Sequence, residues 1–129
     1  MTRDKPALHV LVVDDERLIR WSINETLTRC GYTVVEAVDG ASAVRTLMES
    51  APPIDVILLD YRLSDSKDLE PLATIRRLAP STPVIMMTAF GTPEMVDGAI
   101  NLGVSRVLDK PFDLHKLPAF IRDARVPPA

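Results

Sequence analysis

The sequence predicts an α/β fold in which five strand–helix units build one open parallel sheet. Short β-branched runs alternate with segments of helical period along the whole chain, the pattern of βα repeats. Four of the apolar runs also end in residues fit for phosphate or metal chemistry. Leu8–Val13 runs into Asp14 and Asp15, Val56–Leu59 into Asp60, Val84–Met87 into Thr88, and Arg106–Asp109 into Lys110 and Pro111. Ligands of open parallel sheets bind outside the carboxyl ends of the strands. Such a sheet therefore gathers three carboxylates, a hydroxyl and an ammonium at one edge, a set suited to a divalent cation and a transferred phosphoryl group.

Taken in order, the first strand is followed by a helix from about Glu16 to Cys30. Ile19, Ile23, Leu27 and Cys30 share its apolar face, and Gly31 suits the position after its end. Thr33 to Glu36 reads as a short second strand. Asp39 and Gly40 start a second helix with Val44, Leu47, Met48 and Ala51 on one stripe, stopped by Pro52 and Pro53. The strand ending at Asp60 leads through a loop to a helix with Leu72, Ile75 and Ala79 facing inward. Pro80 and Pro83 bracket the turn into the Thr88 strand. Thr92-Pro93-Glu94 combines an N-cap hydroxyl, a proline at the first helical position and an acid in the first turn. Val96, Ala99, Ile100 and Gly103 are expected on one side of that helix. Asp113 caps the last helix, with Leu114, Leu117 and Ile121 inward. Met1–Pro6 and 126–129 read as loose ends, and Pro127-Pro128 as a possible linker start, so the chain is expected to be one domain, 1–129, with a core of about 8–125.

Bulk composition narrows the function. A chain of 129 residues that is 47% hydrophobic buries a real core and is not disordered. A formal charge of −3 argues against nucleic-acid binding by this segment, since phosphate contact needs a basic surface. The single cysteine, Cys30, cannot pair within the chain, which favours a reducing compartment, and its place on the helical stripe predicts core packing. No apolar run reaches membrane-spanning length and no signal-peptide pattern is present, so a soluble cytoplasmic protein is expected.

The members of the site are ordinary alone. Asp14 and Asp15 could be a helix cap and a dipole-favourable acid, Asp60 a turn cap, Thr88 a strand threonine, and Lys110 a solvated surface lysine. Together they are not ordinary. Carboxylates about 4 Å apart repel by about 4 kcal/mol per pair at an effective dielectric near 20. Three at one edge want a counter-ion, and Mg2+ fits because it takes a few carboxylates plus water and phosphate oxygens. Asp60 can act as a nucleophile that forms an acyl phosphate, and Lys110 can neutralise a phosphoryl group as a point charge.

On these residues the chain resembles the receiver domain of two-component response regulators, from about Leu8 to Arg125. The carriers are Val12-Val13-Asp14-Asp15-Glu16, Leu58-Leu59-Asp60, Met87-Thr88-Ala89 and Asp109-Lys110-Pro111-Phe112-Asp113. Ile19-Arg20-Trp21, Asp60-Tyr61-Arg62-Leu63 and Pro83–Ala89 resemble the NtrC-type, sigma-54-dependent subfamily. The resemblance implies a doubly wound, flavodoxin-like, CheY-like sheet of order 2-1-3-4-5. It implies that Asp60 accepts phosphoryl from a sensor histidine kinase. Mg2+ would be held by Asp15, Asp60 and the backbone carbonyl of Arg62, with Asp14 acting mainly through water. Thr88 and Lys110 would contact the phosphoryl group, and Lys110–Pro111 would be cis. It implies a phosphoacceptor signalling domain rather than an enzyme, a possible homodimer through the 92–125 face, and output modules elsewhere in a longer protein: an AAA+ ATPase and a DNA-binding module.

Three positions depart from the family pattern. Ser64 stands where proline is frequent, Asp68 where glycine is common, and Val107 where an aromatic switch residue is usual. Two other readings compete. A haloacid dehalogenase-type phosphatase also uses Asp, Thr and Lys around Mg2+, but needs a second acid two residues after the nucleophile, where this chain has Arg62. A receiver-like interaction module that is not phosphorylated would have no need of the complete Asp15, Asp60, Thr88 and Lys110 set. A dinucleotide-binding domain is excluded because Asp14-Asp15-Glu16 has no glycines and repels a pyrophosphate.

Overall fold

The computed structural model describes residues 8–49, 53–63, 65 and 69–125. Five strands form one parallel sheet: β1 (His9–Val13), β2 (Thr33–Ala37), β3 (Val56–Asp60), β4 (Val84–Thr88) and β5 (Arg106–Asp109). Between and after them lie α1 (Arg17–Arg29), α2 (Gly40–Glu49), α3 (Glu70–Leu78), α4 (Pro93–Asn101) and α5 (Leu117–Ala124), the last preceded by a 3-10 turn, Leu114–Lys116. The strand order is β2-β1-β3-β4-β5, the order implied by the resemblance.

Side chains alternate across a strand, so each strand feeds two cores. Val10, Val12, Val56, Leu58, Ile85 and Met87 face one side and pack with Ile23 and Leu27 of α1 and Leu117 and Ile121 of α5. Leu11, Val13, Ile57, Leu59, Val84 and Met86 face the other and pack with Ala43 of α2, Leu72 and Ile75 of α3, and Met95 and Ala99 of α4. Every residue of the central strands β3 and β4 is buried, whereas the outer strands β2 and β5 are partly exposed. That is why β3 and β4 read as unbroken apolar runs.

Registry brings the carboxyl ends together. Val13 pairs with Ala37 and Leu59, Asp60 with Met87, and Thr88 with Asp109. Thr92 caps α4 by accepting from the Met95 N–H at 3.1 Å, with Pro93 in the first turn, as its sequence predicts. Asp39 accepts from the Ser42 N–H at 2.8 Å, while the Ser42 hydroxyl accepts from the Asp39 N–H at 3.1 Å, a reciprocal cap on α2. Gly31 at φ 95° and Gly103 at φ 92° turn the chain after α1 and α4.

Several helix-face expectations need correction. Cys30 is exposed, not core: α1 stops at Arg29, and Cys30 is its C-cap, already turning toward Gly31. Met48 is exposed because α2 seats Gly40, Ala43 and Leu47 inward, one row away from Met48. Ile100 is likewise exposed, since α4 packs through Met95, Val96 and Ala99, and Gly103 lies beyond the helix end rather than on its inner face. Asp113 caps the 3-10 turn through the His115 N–H at 2.9 Å, with α5 starting only at Leu117. Ala51, Pro52, Ser64, Asp68 and the proposed linker at 126–129 lie outside the described residues.

Candidate functional site

The site begins at Asp14, the first residue after β1. Its N–H continues the sheet by donating to the Ala37 carbonyl at 3.1 Å. Its side chain is fully buried. Oδ1 accepts from the Glu16 N–H at 2.8 Å, which closes the turn into α1, and Oδ2 lies 2.9 Å from Lys110 Nζ. Asp60, the last residue of β3, places Oδ1 3.1 Å from the same ammonium. Glu16 Oε1 stands 3.4 Å from it. Lys110 therefore crosses from the end of β5 to three carboxylates, and its own N–H is tied to the Thr88 carbonyl at 2.7 Å.

Carboxylate oxygens of Asp14, Asp15 and Asp60 lie within 4.8 Å of one another. Asp14 is committed to Lys110 and to the turn, whereas among the described residues the exposed Asp15 carboxylate has no hydrogen-bond or ion-pair partner. An all-oxygen donor set of this kind fits a hard cation such as Mg2+ better than zinc or copper. A cleft of about 250 Å³ opens here, lined by Asp15, Glu16, Asp60, Arg62, Thr88, Ala89 and Lys110. Ala89, small and exposed, leaves the cleft mouth open. Thr88 Oγ1 accepts from the Phe90 N–H at 3.3 Å, so the hydroxyl proton can be donated into the cleft.

Burial, and then charge crowding, sets the protonation of the site. Burial, and then the charge of Asp14, pushes the Asp60 carboxyl up to about 6 against the attraction of Lys110. Burial alone would lower the Lys110 ammonium. The Asp14 hydrogen bond and the charges of Asp60 and Asp14 outweigh it and hold Lys110 above its ordinary value. Lysine is thus fully cationic at neutral pH, and Asp60 is ionised but poorly solvated.

Asp14, Asp15, Asp60, Thr88 and Lys110, predicted from strand ends far apart in sequence, converge as expected. Arg62 lines the cleft at its exposed rim. The Lys110–Pro111 bond is cis. Val107 is partly buried and packs on the α2–α3–α4 side of the core. Sequence reasoning missed two contacts. Glu16, read only as part of a motif, is a third partner of Lys110, and Arg20 donates from Nη1 to the Asp14 carbonyl at 2.8 Å.

Residues 10–122 match the response regulator receiver domain, and the chain belongs to that family. It is similar to transcriptional regulatory protein GlrR of Escherichia coli (strain K12), 35% identical over 120 residues that cover 93% of this chain and 26% of that protein. It is also similar to DNA-binding transcriptional regulator NtrC of Proteus hauseri, 36% identical over 116 residues that cover 90% of this chain and 24% of that protein. These likenesses support the NtrC-type subfamily, and the chain spans about a quarter of the length of both relatives. Among solved structures it superposes on a chain of the CheX-CheY-BeF3-Mg2+ complex from Borrelia burgdorferi with a TM-score of 0.86 at 26% identity, covering 93% of this chain and 90% of that one.

Proposed function

We propose that Asp60 is the phosphoacceptor of this receiver domain, loaded in a Mg2+-dependent reaction by the phosphohistidine of a sensor histidine kinase. The observation that carries the reading is the convergence on Asp60 of one cation, Lys110 at 3.1 Å, and two further carboxylates, Asp14 and Asp15. An Asp60 oxygen attacks phosphorus as the P–N bond of the donor breaks. The bonding pair leaves with the imidazole, which takes a proton from solvent, and Asp60 becomes an acyl phosphate. Lys110 pairs with a phosphoryl oxygen, and the Thr88 hydroxyl donates to another. Asp15, Asp60 and the Arg62 carbonyl would hold Mg2+, with Asp14 linked mainly through water. The ion supplies charge neutralisation between the acids and the incoming phosphoryl group.

In this reading the domain turns over no substrate other than its own phosphoryl group. Relatives named as transcriptional regulators support an output in transcription, delivered by an ATPase and DNA-binding module outside this segment and aided by self-association through residues 92–125. No helix among the described residues is long and apolar enough to cross a membrane, in keeping with a cytoplasmic place of work. Incubation with acetyl phosphate and Mg2+ should add one phosphoryl mass, and Asp60→Asn or a chelator should abolish it. Equal labelling of Asp60→Asn sinks the assignment, and no labelling at all leaves the domain as an interaction module.

A further inference from the structure

Arg20 sits on the second turn of α1, outside the cleft, yet it reaches back to the acid site. Its side chain is only 13% exposed. Nη1 donates to the main-chain carbonyl of Asp14 at 2.8 Å, and Nε donates to Glu36 Oε1 on β2 at 2.9 Å. Glu36 is itself held, because its other oxygen accepts from Asn24 Nδ2 at 2.7 Å. The guanidinium fork thus spans the β1–α1 turn and the neighbouring strand. A planar fork with two occupied donors has little freedom left.

The Asp14 carbonyl belongs to the peptide unit whose nitrogen is that of Asp15. The unit is planar, so fixing the carbonyl oxygen fixes the direction in which the Asp15 backbone departs. Asp14 is held at four points: its N–H by Ala37, its carbonyl by Arg20, and its two carboxylate oxygens by the Glu16 N–H and Lys110. The Asp15 side chain has no such anchor, and its place depends on the backbone behind it. From this we infer that Arg20 is a positioning residue for the cation site: it presents the Asp15 carboxylate toward Asp60 by pinning the Asp14–Asp15 peptide, and Glu36 aims it. The inference rests on the reading of Asp14, Asp15 and Asp60 as a Mg2+ site.

Charge and positioning make opposite forecasts. Removing a cation that is bonded to the Asp14 carbonyl should, by loss of its Coulomb repulsion alone, tighten Mg2+ binding. Loosening the backbone of a ligand should weaken it, and outer partners of metal ligands typically cost roughly 10-fold or more in affinity when lost. Arg20→Met keeps the buried stem and deletes both hydrogen bonds. Calorimetric titration of the full chain with Mg2+ should show affinity lower by about 10-fold in Arg20→Met, with partial recovery in Arg20→Lys and a smaller loss in Glu36→Gln. In the metal-free protein, amide exchange of Asp15 and Glu16 should accelerate in Arg20→Met while β3 and β4 keep their protection. Unchanged or tighter Mg2+ binding in a folded Arg20→Met overturns the inference. Should that variant not fold, Arg20→Lys and Glu36→Gln carry the test, and parent-like affinity in both overturns it equally. Parent protein and Asp15→Asn separate the two levels. A parent that binds no Mg2+ removes the metal reading and this inference with it, whereas a parent that binds, an Asp15→Asn that does not, and an Arg20→Met equal to the parent remove this inference alone.

Discussion

Asp60 weakens the fold that presents it, and the size of that effect is measurable. Its carboxyl titrates near 6 in the folded chain against 3.8 when unperturbed, chiefly because it is buried and faces Asp14. Below pH 3.8 both folded and unfolded chains hold the proton, and Asp60 contributes nothing. Between about pH 4 and 6 the folded chain holds more protons than the unfolded one, so stability falls as pH rises. By about pH 7 the penalty is nearly complete, at about 3 kcal/mol for a displacement of this size. Asp60→Asn removes the charge with little change of shape, and Lys110 keeps Asp14 at 2.9 Å and Glu16 at 3.4 Å. Urea unfolding in chelator should therefore find Asp60→Asn more stable than the parent by about 1–3 kcal/mol at pH 7.5, with the gain vanishing toward pH 4. Mg2+ should then stabilise the parent by mass action and leave the variant nearly unmoved. A variant less stable than the parent at pH 7.5, or a stability difference that ignores pH, would refute the claim that crowding and burial load this site.

Three more outcomes follow from particular residues. Phe90, 80% exposed beside the cleft, cannot orient a water for attack on an acyl phosphate; Phe90→Glu should speed loss of phosphoryl from Asp60, and an equal or slower decay counts against this. Beryllium fluoride with Mg2+ should change amide exchange between Ala89 and Asp109 and in α4; changes confined to α2 would rule out the 92–125 face as the responding surface. Leu58, fully buried in β3, should cost about 2–5 kcal/mol on substitution by alanine; a loss under half a kcal/mol in urea unfolding would mean that this core collapses freely.

Strand ends were legible because buried parallel strands are continuous apolar runs, so a polar residue that ends one stands out. Asp60 and Thr88 are such residues, and the sheet order then brings them together. Helix faces were less legible. Met48 and Ile100 lie one residue past an inward position, Leu47 and Ala99, and hydrophobicity does not say which of two adjacent rows a helix will bury. Cys30 was misread for a related reason: the stripe continued in sequence after the helix had ended. Glu16 and Lys110 are 94 positions apart, and their contact arises only from the path of the Lys110 side chain across the edge. Arg20 gave no signal as a site residue, because its target is a main-chain carbonyl, and backbone acceptors carry no identity in a sequence.

Val107 raises the question of how an event at Asp60 could reach the far side of the domain without an aromatic ring at that position. The packing offers a route through small residues. A Cβ on Gly91 would stand 3.1 Å from Thr88 Cγ2 and 3.2 Å from Met95 Cε, so the loop after β4 lies directly against the threonine and against the inner face of α4. A Cβ on Gly98 would fall 2.8 Å from Leu69 Cδ1, so α4 also touches the residue that leads from the acceptor loop into α3. Asp65, within that loop, accepts from the Gly40 and Ala41 N–H groups at 3.0 and 3.1 Å and ties the loop to α2. A phosphoryl group that drew the Thr88 hydroxyl inward would turn a side chain that lies against Gly91, at the entry to α4. Close-packed interiors do not stretch, so such a change would be taken up by a shift of α4 rather than by its gradual deformation. The amplitude is bounded by the differential contacts of the two states. The Thr88–Gly91 and Leu69–Gly98 approaches meet α4 at its entry and along its inner side, and Val107 packs on the same side of the core.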